Sequence, residues 1–239
     1  MGNISFFAAY SPSSQEFIIT PQSTSNIPVN YIISDSFKVE IMFHLYKPSI
    51  KEIGGRVENI LLKNNIHQSD IHINVNNTIC LCPYPKLRKL FPDRVNIIDY
   101  IDKLVIPCFY GLSFYEKYTK WPWGEYSHYD LGIYEYYYEN RIPSDKPDMS
   151  VIINCIEILS DSGKNIFLKK KVPLNEDKNC PCKSGHKFKD CHKEAFQGLS
   201  LLLQDYNSLY PLPNIILKKS TNLNAAFGGK MAEWVKMGF

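Results

Sequence analysis

Apolar and polar residues alternate most cleanly at Phe37-Lys-Val39-Glu-Ile41-Met-Phe43-His-Leu45, which sets Phe37, Val39, Ile41, Phe43 and Leu45 on one face of an extended segment. A period of two predicts a half-buried strand, and an antiparallel sheet is the setting in which a strand keeps one wet face. Tyr46-Lys-Pro48 ends that strand, and residues 50–57 predict the next one, with Gly54-Gly55 as a bulge or turn inside it. The first thirty residues are rich in Ser, Thr, Pro and Asn around apolar clusters at 4–10 and 17–19, so they read as short strands or an irregular arm.

The period then changes. Between Asn96 and Tyr118 the apolar positions Ile97, Ile98, Ile101, Leu104, Val105, Cys108, Phe109 and Leu112 recur at helical spacing, with Asn96 as N-cap. Pro107 lies inside that run, where its missing N–H and its ring should kink or split the helix. Thirteen aromatic residues follow between Phe109 and Tyr138, including Trp121-Pro122-Trp123 and Tyr136-Tyr137-Tyr138, a density that points to core packing or a rigid lid. Residues 141–149 read as a loop, 151–159 as a buried strand or short helix, and 195–206 as a helix; 214–239 are weakly specified. The fold class expected is α+β, an antiparallel sheet meander flanked by helices.

Composition supports a real core. The chain has 239 residues and an apolar fraction of 44%, enough for one ordinary domain and a small appendage. No stretch reaches the roughly eighteen uninterrupted apolar residues of a membrane span, and no charged segment followed by an apolar one opens the chain. Seven cysteines lack the spacing of a disulfide framework, so a reducing cytoplasm is the expected location. Net charge is +3, but nine lysines and three acids between Lys164 and Lys193 give a local +6. A basic patch of this kind can meet nucleic-acid phosphates or an acidic protein face, or can simply offset an anionic metal site.

That metal site is predicted by Cys180-Pro-Cys182-Lys-Ser-Gly-His-Lys-Phe-Lys-Asp-Cys191-His192. Three thiolates and an imidazole are the donor set of a tetrahedral structural zinc, and so short a segment cannot bury a core without one. Ser184-Gly185 supply a tight turn between the two ligand pairs, and His186 is spare. The spacing resembles the SEC-C motif, a small zinc module that ends many bacterial proteins.

Candidate chemistry lies upstream, in Asp70-Ile-His72-Ile-Asn74-Val-Asn76-Asn77-Thr78-Ile79-Cys80-Leu81-Cys82-Pro83. Three readings compete. Cys80 is a nucleophile whose oxyanion is held by the Asn74 amide; or Cys80 and Cys82 join His72 in a second metal site; or Cys80 is a small core residue between aliphatics. The order of an extended strand at 37–45, Tyr46-Lys-Pro48, His72-Ile-Asn74, a polar Asn76-Asn77 turn and Ile79-Cys80-Leu81 resembles the bacterial relatives of ubiquitin-conjugating enzymes. Gly-Glu-Tyr-Ser-His128 and Gly132-Ile-Tyr-Glu-Tyr136-Tyr137 are similar to members in which such a domain precedes a SEC-C module. Two features depart from the pattern: Ile73 stands where Pro is usual, and the interval from Asn74 to Cys80 is about two residues short.

The resemblance implies a cysteine that carries the C-terminus of a ubiquitin-like modifier from an activating enzyme to an amine, within a prokaryotic conjugation or antiphage defence system. It implies Cys80 as the thioester carrier, Asn74 for the oxyanion and His72 for orienting the turn. Glu125 and His128, three residues apart, form a further acid and imidazole pair that one turn could present to a site. A defence-system signalling enzyme is a further partner on this reading. The expected domains are a ubiquitin-conjugating-like α+β domain with an N-terminal arm over 1–172, a zinc module over 173–196 and a helical tail over 197–239. The rival is a non-catalytic protein that docks to protein or nucleic acid through its basic zinc module.

Overall fold

A computed structural model of the chain describes residues 1–21, 26–43, 48–144, 146–161, 177–182 and 184–209. They form two compact units, the first from the described residues of 1–82 and 91–125 and the second from 83–90 and the described residues of 126–209. The fold is α+β. The helices at 130–161 share a core with the cysteine segment and the helix after it.

The first unit holds a four-stranded antiparallel sheet: β1 (Gly2–Ser11), β2 (Glu16–Ile19), β3 (Ile32–Met42) and β4 (Ser49–Glu52), in the order β2-β1-β3-β4. The residues read as strands or an arm are strands, and β1 is an inner one. Strand β3 pairs with it from Gly2↔Val39 to Ala9↔Ile32. The order therefore departs from a simple meander, since β2 and β3 flank β1 on opposite sides. Phe37 and Val39 face the core as the alternation predicts, whereas Phe43 lies beyond the strand and is exposed; Leu45, Tyr46 and Lys47 fall outside the described residues.

Strand β4 stops at Glu52, short of the predicted Val57. Gly55 has φ +83°, a left-handed conformation that glycine adopts without strain, and it opens α1 (Arg56–Asn64). The glycine pair is thus a strand-to-helix turn. Arg56 at the start of α1 ties three elements together. Its Nη1 and Nη2 each donate to Asp35 of β3 at 2.7 Å, its Nε donates to Glu116 at 2.8 Å, and its guanidinium lies 4.3 Å from the centroid of the Phe37 ring. Burial acts to raise Asp35, yet the bonds from Arg56 and Ser113 outweigh it and hold the carboxyl below its usual range.

The helix predicted from Asn96 forms in three pieces: α3 (Ile97–Tyr100), a wide turn at Ile101–Val105, and α4 (Ile106–Tyr118). Asn96 is the N-cap, its Oδ1 accepting from the N–H groups of Ile98 and Asp99. The wide turn comes immediately before Pro107, which has no N–H for a regular bond back along the helix. Helix α4 is apolar on nearly all sides; Phe109, Tyr110, Leu112 and Phe114 are wholly buried, and Phe109 stacks on Phe37 with ring centroids 4.4 Å apart.

The second unit comprises α2 (Tyr84–Leu90), α5 (Asp130–Arg141), α6 (Met149–Asp161), α7 (Phe188–Cys191) and α8 (Lys193–Leu209). The segment left open between strand and helix at 151–159 is helical. Its Val151, Ile152, Cys155, Ile156 and Leu159 are buried at a spacing of three and four. Asp205 of α8, 5% exposed, accepts from Tyr137 Oη and Arg141 Nε of α5, both at 2.7 Å. Beside that pair the two helices touch backbone to backbone. A Cβ on Gly198 would lie 1.9 Å from the Tyr134 carbonyl oxygen.

Gly198→Ala is therefore expected to force α5 and α8 apart and to cost about 1–3 kcal/mol, as overpacking typically does, measured as a lowered urea midpoint against wild type.

Candidate functional site

The turn that carries Cys80 begins at a 3₁₀ turn, Gln68–Ile71, capped reciprocally at its N-terminal end: Ser69 N–H donates to His67 Nδ1 at 3.2 Å and His67 N–H to Asp70 Oδ2 at 2.9 Å. His72 follows with φ +58°, a left-handed backbone that is rare and strained for a residue with a side chain. The surroundings hold it there. His72 N–H donates to the Ser69 carbonyl at 3.0 Å, and the His72 carbonyl accepts the N–H of Cys80 at 2.7 Å.

Between them the chain reverses tightly, with Asn74 N–H on the Thr78 carbonyl at 2.8 Å and Asn77 at φ +61°. Asparagine tolerates that conformation, which is what the Asn76-Asn77 pair predicts. Ile79 N–H reaches the Ile50 carbonyl of β4 at 2.8 Å and so fastens the neighbour of Cys80 to the sheet. The Asn74 side chain donates to Thr78 Oγ1 at 3.0 Å, and Thr78 Oγ1 donates to Asn76 Oδ1 at 2.7 Å. The Asn74 amide thus braces the turn.

His72 Nε2 lies 2.7 Å from Glu125 Oε1, and the Cys80 side chain is the other group that acts on the imidazole. Thiol, imidazole and carboxylate therefore form one connected row. Burial of the ring pulls its pKa down, but the bonds and negative charge of Cys80 and Glu125 outweigh this and push it up to about 9. Cys80 is half-buried, whereas Cys108 and Cys155 are buried and their thiols are pushed up by that burial.

Glu125 reaches His72 because two indoles clamp the loop before it. Trp123 stacks on Tyr110 of α4, centroids 5.6 Å apart and planes 14° from parallel, and meets Tyr10 and Phe17 edge-on at 5.2 and 5.9 Å. Trp121 lies over Gly111, where a Cβ would come within 2.2 Å of its ring, and faces His72 edge-on at 5.4 Å. Sequence reasoning paired Glu125 with His128; the structure pairs it with His72, 53 residues away in the chain. No spacing signals that partnership. His128 belongs to the second unit, with its ring 6.2 Å from that of Tyr129.

The second unit contains the other predicted cluster. One ligand atom from each of Cys180, Cys182, Cys191 and His192 lies within 4.8 Å of the others, so the four could hold a metal ion. Cys180 N–H bonds the His186 carbonyl at 2.8 Å and Phe188 N–H the Lys178 carbonyl at 2.9 Å, closing a small hairpin. Gly185 turns it at φ +82°, and α7 delivers Cys191 and His192 back to the first two cysteines. Cys180 Sγ is 3.2 Å from His192 Nδ1 and Cys182 Sγ is 3.6 Å from Cys191 Sγ. Three thiolates and an imidazole at such spacings fit a closed four-coordinate structural ion.

Among the described residues this is the one group of three or more such side chains gathered at ligand distance, so Cys80, Cys82 and His72 do not make a second. Cys180 and Phe188 are buried within the same apolar cluster as Leu131, Tyr137, Ile152 and Leu202. Cys180 thus anchors the candidate metal cluster in that unit's core, with Cys191 packed against it, while Cys182 is exposed. Of the basic surface, Lys178, Lys187 and Lys193 are exposed, and Lys187 pairs with Asp177 at 2.7 Å; residues 164–176 and Lys183 lie outside the described residues. No helix among the described residues is long and apolar enough to cross a membrane.

Comparison with protein-family models, with curated proteins and with solved structures finds no match to this chain.

Two outcomes are expected. His72 at about 9 sits above its ordinary 6.5, so its contribution to stability is complete below about 6.5 and fades as pH rises through about 9. The urea midpoint of wild type minus that of His72→Gln should shrink over that window. Metal analysis of the purified protein should find one equivalent per chain; Cys182→Ser should lose it, with a lower thermal midpoint and less helical circular dichroism, because the ligands share a core with α5, α6 and α8.

Proposed function

We propose that this protein is a cysteine-dependent acyl transferase of the ubiquitin-conjugating kind, with Cys80 as thioester carrier. The observation that carries the reading is the row Cys80, His72 and Glu125, in which one imidazole lies 2.7 Å from a carboxylate and shares a small hairpin with the thiol that acts on it. The nucleophile in thiol chemistry is the thiolate, and an imidazolium alongside is the counter-charge it needs. Glu125 holds that imidazolium in place, the part a third group plays wherever a base must be oriented.

In the loading step Cys80 Sγ attacks the carbonyl carbon of a donor thioester. The bond from that carbon to the donor sulfur breaks, and His72 gives its proton to the departing thiolate. In the transfer step an amine attacks the acyl carbon, its proton passes to His72, and Cys80 leaves as thiolate. Asn74 braces the turn; an amide has two N–H donors, so its bond to Thr78 leaves another for the oxyanion.

The acyl group is the C-terminus of a ubiquitin-like protein delivered by an activating enzyme, as the order of His72-Ile-Asn74 and Ile79-Cys80-Leu81 after an antiparallel sheet supports. The setting is a cytoplasmic prokaryotic conjugation or antiphage system. The ion in the Cys180 cluster is zinc, in keeping with its donor set, and its role is structural.

Incubation with ubiquitin bearing a C-terminal mercaptoethanesulfonate thioester is expected to give an adduct that dithiothreitol removes. Cys80→Ser should convert it to an oxyester that resists the reductant, and Cys80→Ala should abolish it. Iodoacetamide at neutral pH should label Cys80 ahead of Cys108 and Cys155. An adduct that survives Cys80→Ala, or no adduct on wild type, sinks the reading.

A further inference from the structure

We propose that the thioester formed on Cys80 is also discharged to water with His72 as general base, so that the site carries a thioesterase activity beside transfer. The inference rests on the acyl-transfer reading of the same site. A cysteine that only ferries an acyl group needs a reactive sulfur and an open approach for the acceptor. This site has more. His72 is fixed at its ring by Glu125, 2.7 Å from Nε2, and at its backbone by the N–H of the nucleophile itself, 2.7 Å from its carbonyl oxygen.

The charge around the imidazole changes with each half of the cycle. Facing it are Cys80 from its own turn, Glu125 from the loop after α4, and the indole edge of Trp121. Asp70 lies on the preceding turn, and Tyr115 and Cys108 of α4 stand close to these carboxylates and to Cys80, with burial pushing the phenol and the thiol up so that both stay neutral. The anions that favour a protonated His72 are therefore Cys80 and Glu125.

Acylation removes one of the two, because a thioester sulfur carries no charge. Burial, which disfavours the imidazolium, stays. Loading also removes the proton itself, since the departing thiol takes it. A neutral imidazole, oriented by Glu125, is left beside the acyl group on Cys80.

Such a base can also take the proton of an attacking water, and water has access: the His72 side chain is 17% exposed and Cys80 is half-buried. In the step, a water oxygen attacks the acyl carbon and its proton passes to His72. The carbon–sulfur bond then breaks, with its electron pair going to Cys80 Sγ. The products are the free carboxylic acid, which loses its proton to solvent, and a thiolate beside an imidazolium, the state from which loading began. No oxidant or other reactant is needed.

The test uses the full chain and a short glycine-terminated peptide thioester of mercaptoethanesulfonate. After loading and gel filtration, the Cys80 adduct is followed by intact-mass spectrometry in ¹⁸O water. The adduct is expected to decay with one ¹⁸O in the released carboxylate. His72→Gln should slow that decay by about 10²–10⁴-fold, the usual size of general-base catalysis. Glu125→Gln should slow it by a smaller factor, and the wild-type rate should fall as pH is lowered through the imidazole's range in the acylated protein. Equal decay in wild type, His72→Gln and Glu125→Gln, or an adduct that persists in wild type, overturns the hydrolytic activity and leaves the thioester reading standing. No adduct on Cys80 from this probe or from the ubiquitin thioester overturns both.

Discussion

Helix α4 is the constraint on which the first unit depends. A helix apolar on nearly every side has to be covered on every side, and the chain supplies the covers in turn. Strand β3 offers Phe37, with Phe6 of β1 stacked on it, β2 offers Phe17, the residues before β3 offer Tyr31, and the loop that follows α4 folds back with Trp121 and Trp123. Gly111 is where this covering would fail with any larger residue, since the Trp121 ring occupies the space of a Cβ. The burial of one apolar helix thus determines the course of the loop, and the loop ends at Glu125. The placement of the carboxylate follows from the core.

Polar groups around α4 are drawn into the same scheme. Ser113, buried on α4, donates to Asp35 at 2.7 Å and sits 3.0 Å from the Phe109 carbonyl, while Asp35 is held by Arg56. A buried hydroxyl and a half-buried carboxylate are tolerated because each has its partners. The second unit solves its own version of the problem with Asp205, which takes both Tyr137 and Arg141, and with Cys180, which a metal would satisfy where no hydrogen bond from a core side chain could.

What the sequence made legible was local. Alternation at Phe37 and Val39, the Asn96 cap, the disturbance at Pro107, the left-handed Asn77 and the four clustered ligands each depend on neighbours within a few residues, and each is seen. What escaped was long-range. The central place of β1 depends on pairing across some thirty residues, and α1 was hidden because Ile50 to Val57 reads as one extended run until Gly55 turns it. Glu125 was noticed for its nearness to His128 in the chain, whereas its partner is set by how two indoles lie on α4. Aromatic density at 109–138 points to core packing or a rigid lid, and it is packing of two indoles on α4 that aligns the acid.

The hydrogen bond from Cys80 N–H to the His72 carbonyl has one more consequence. Cys80 and His72 are borne on the same small hairpin, and that bond fixes their two backbones against each other. Glu125 rides on a different segment, anchored through its tryptophans to α4. Of the three members of the row, the carboxylate is the one that a separate segment brings, so the seating of the indoles on α4 sets how the acid meets the pair on the hairpin.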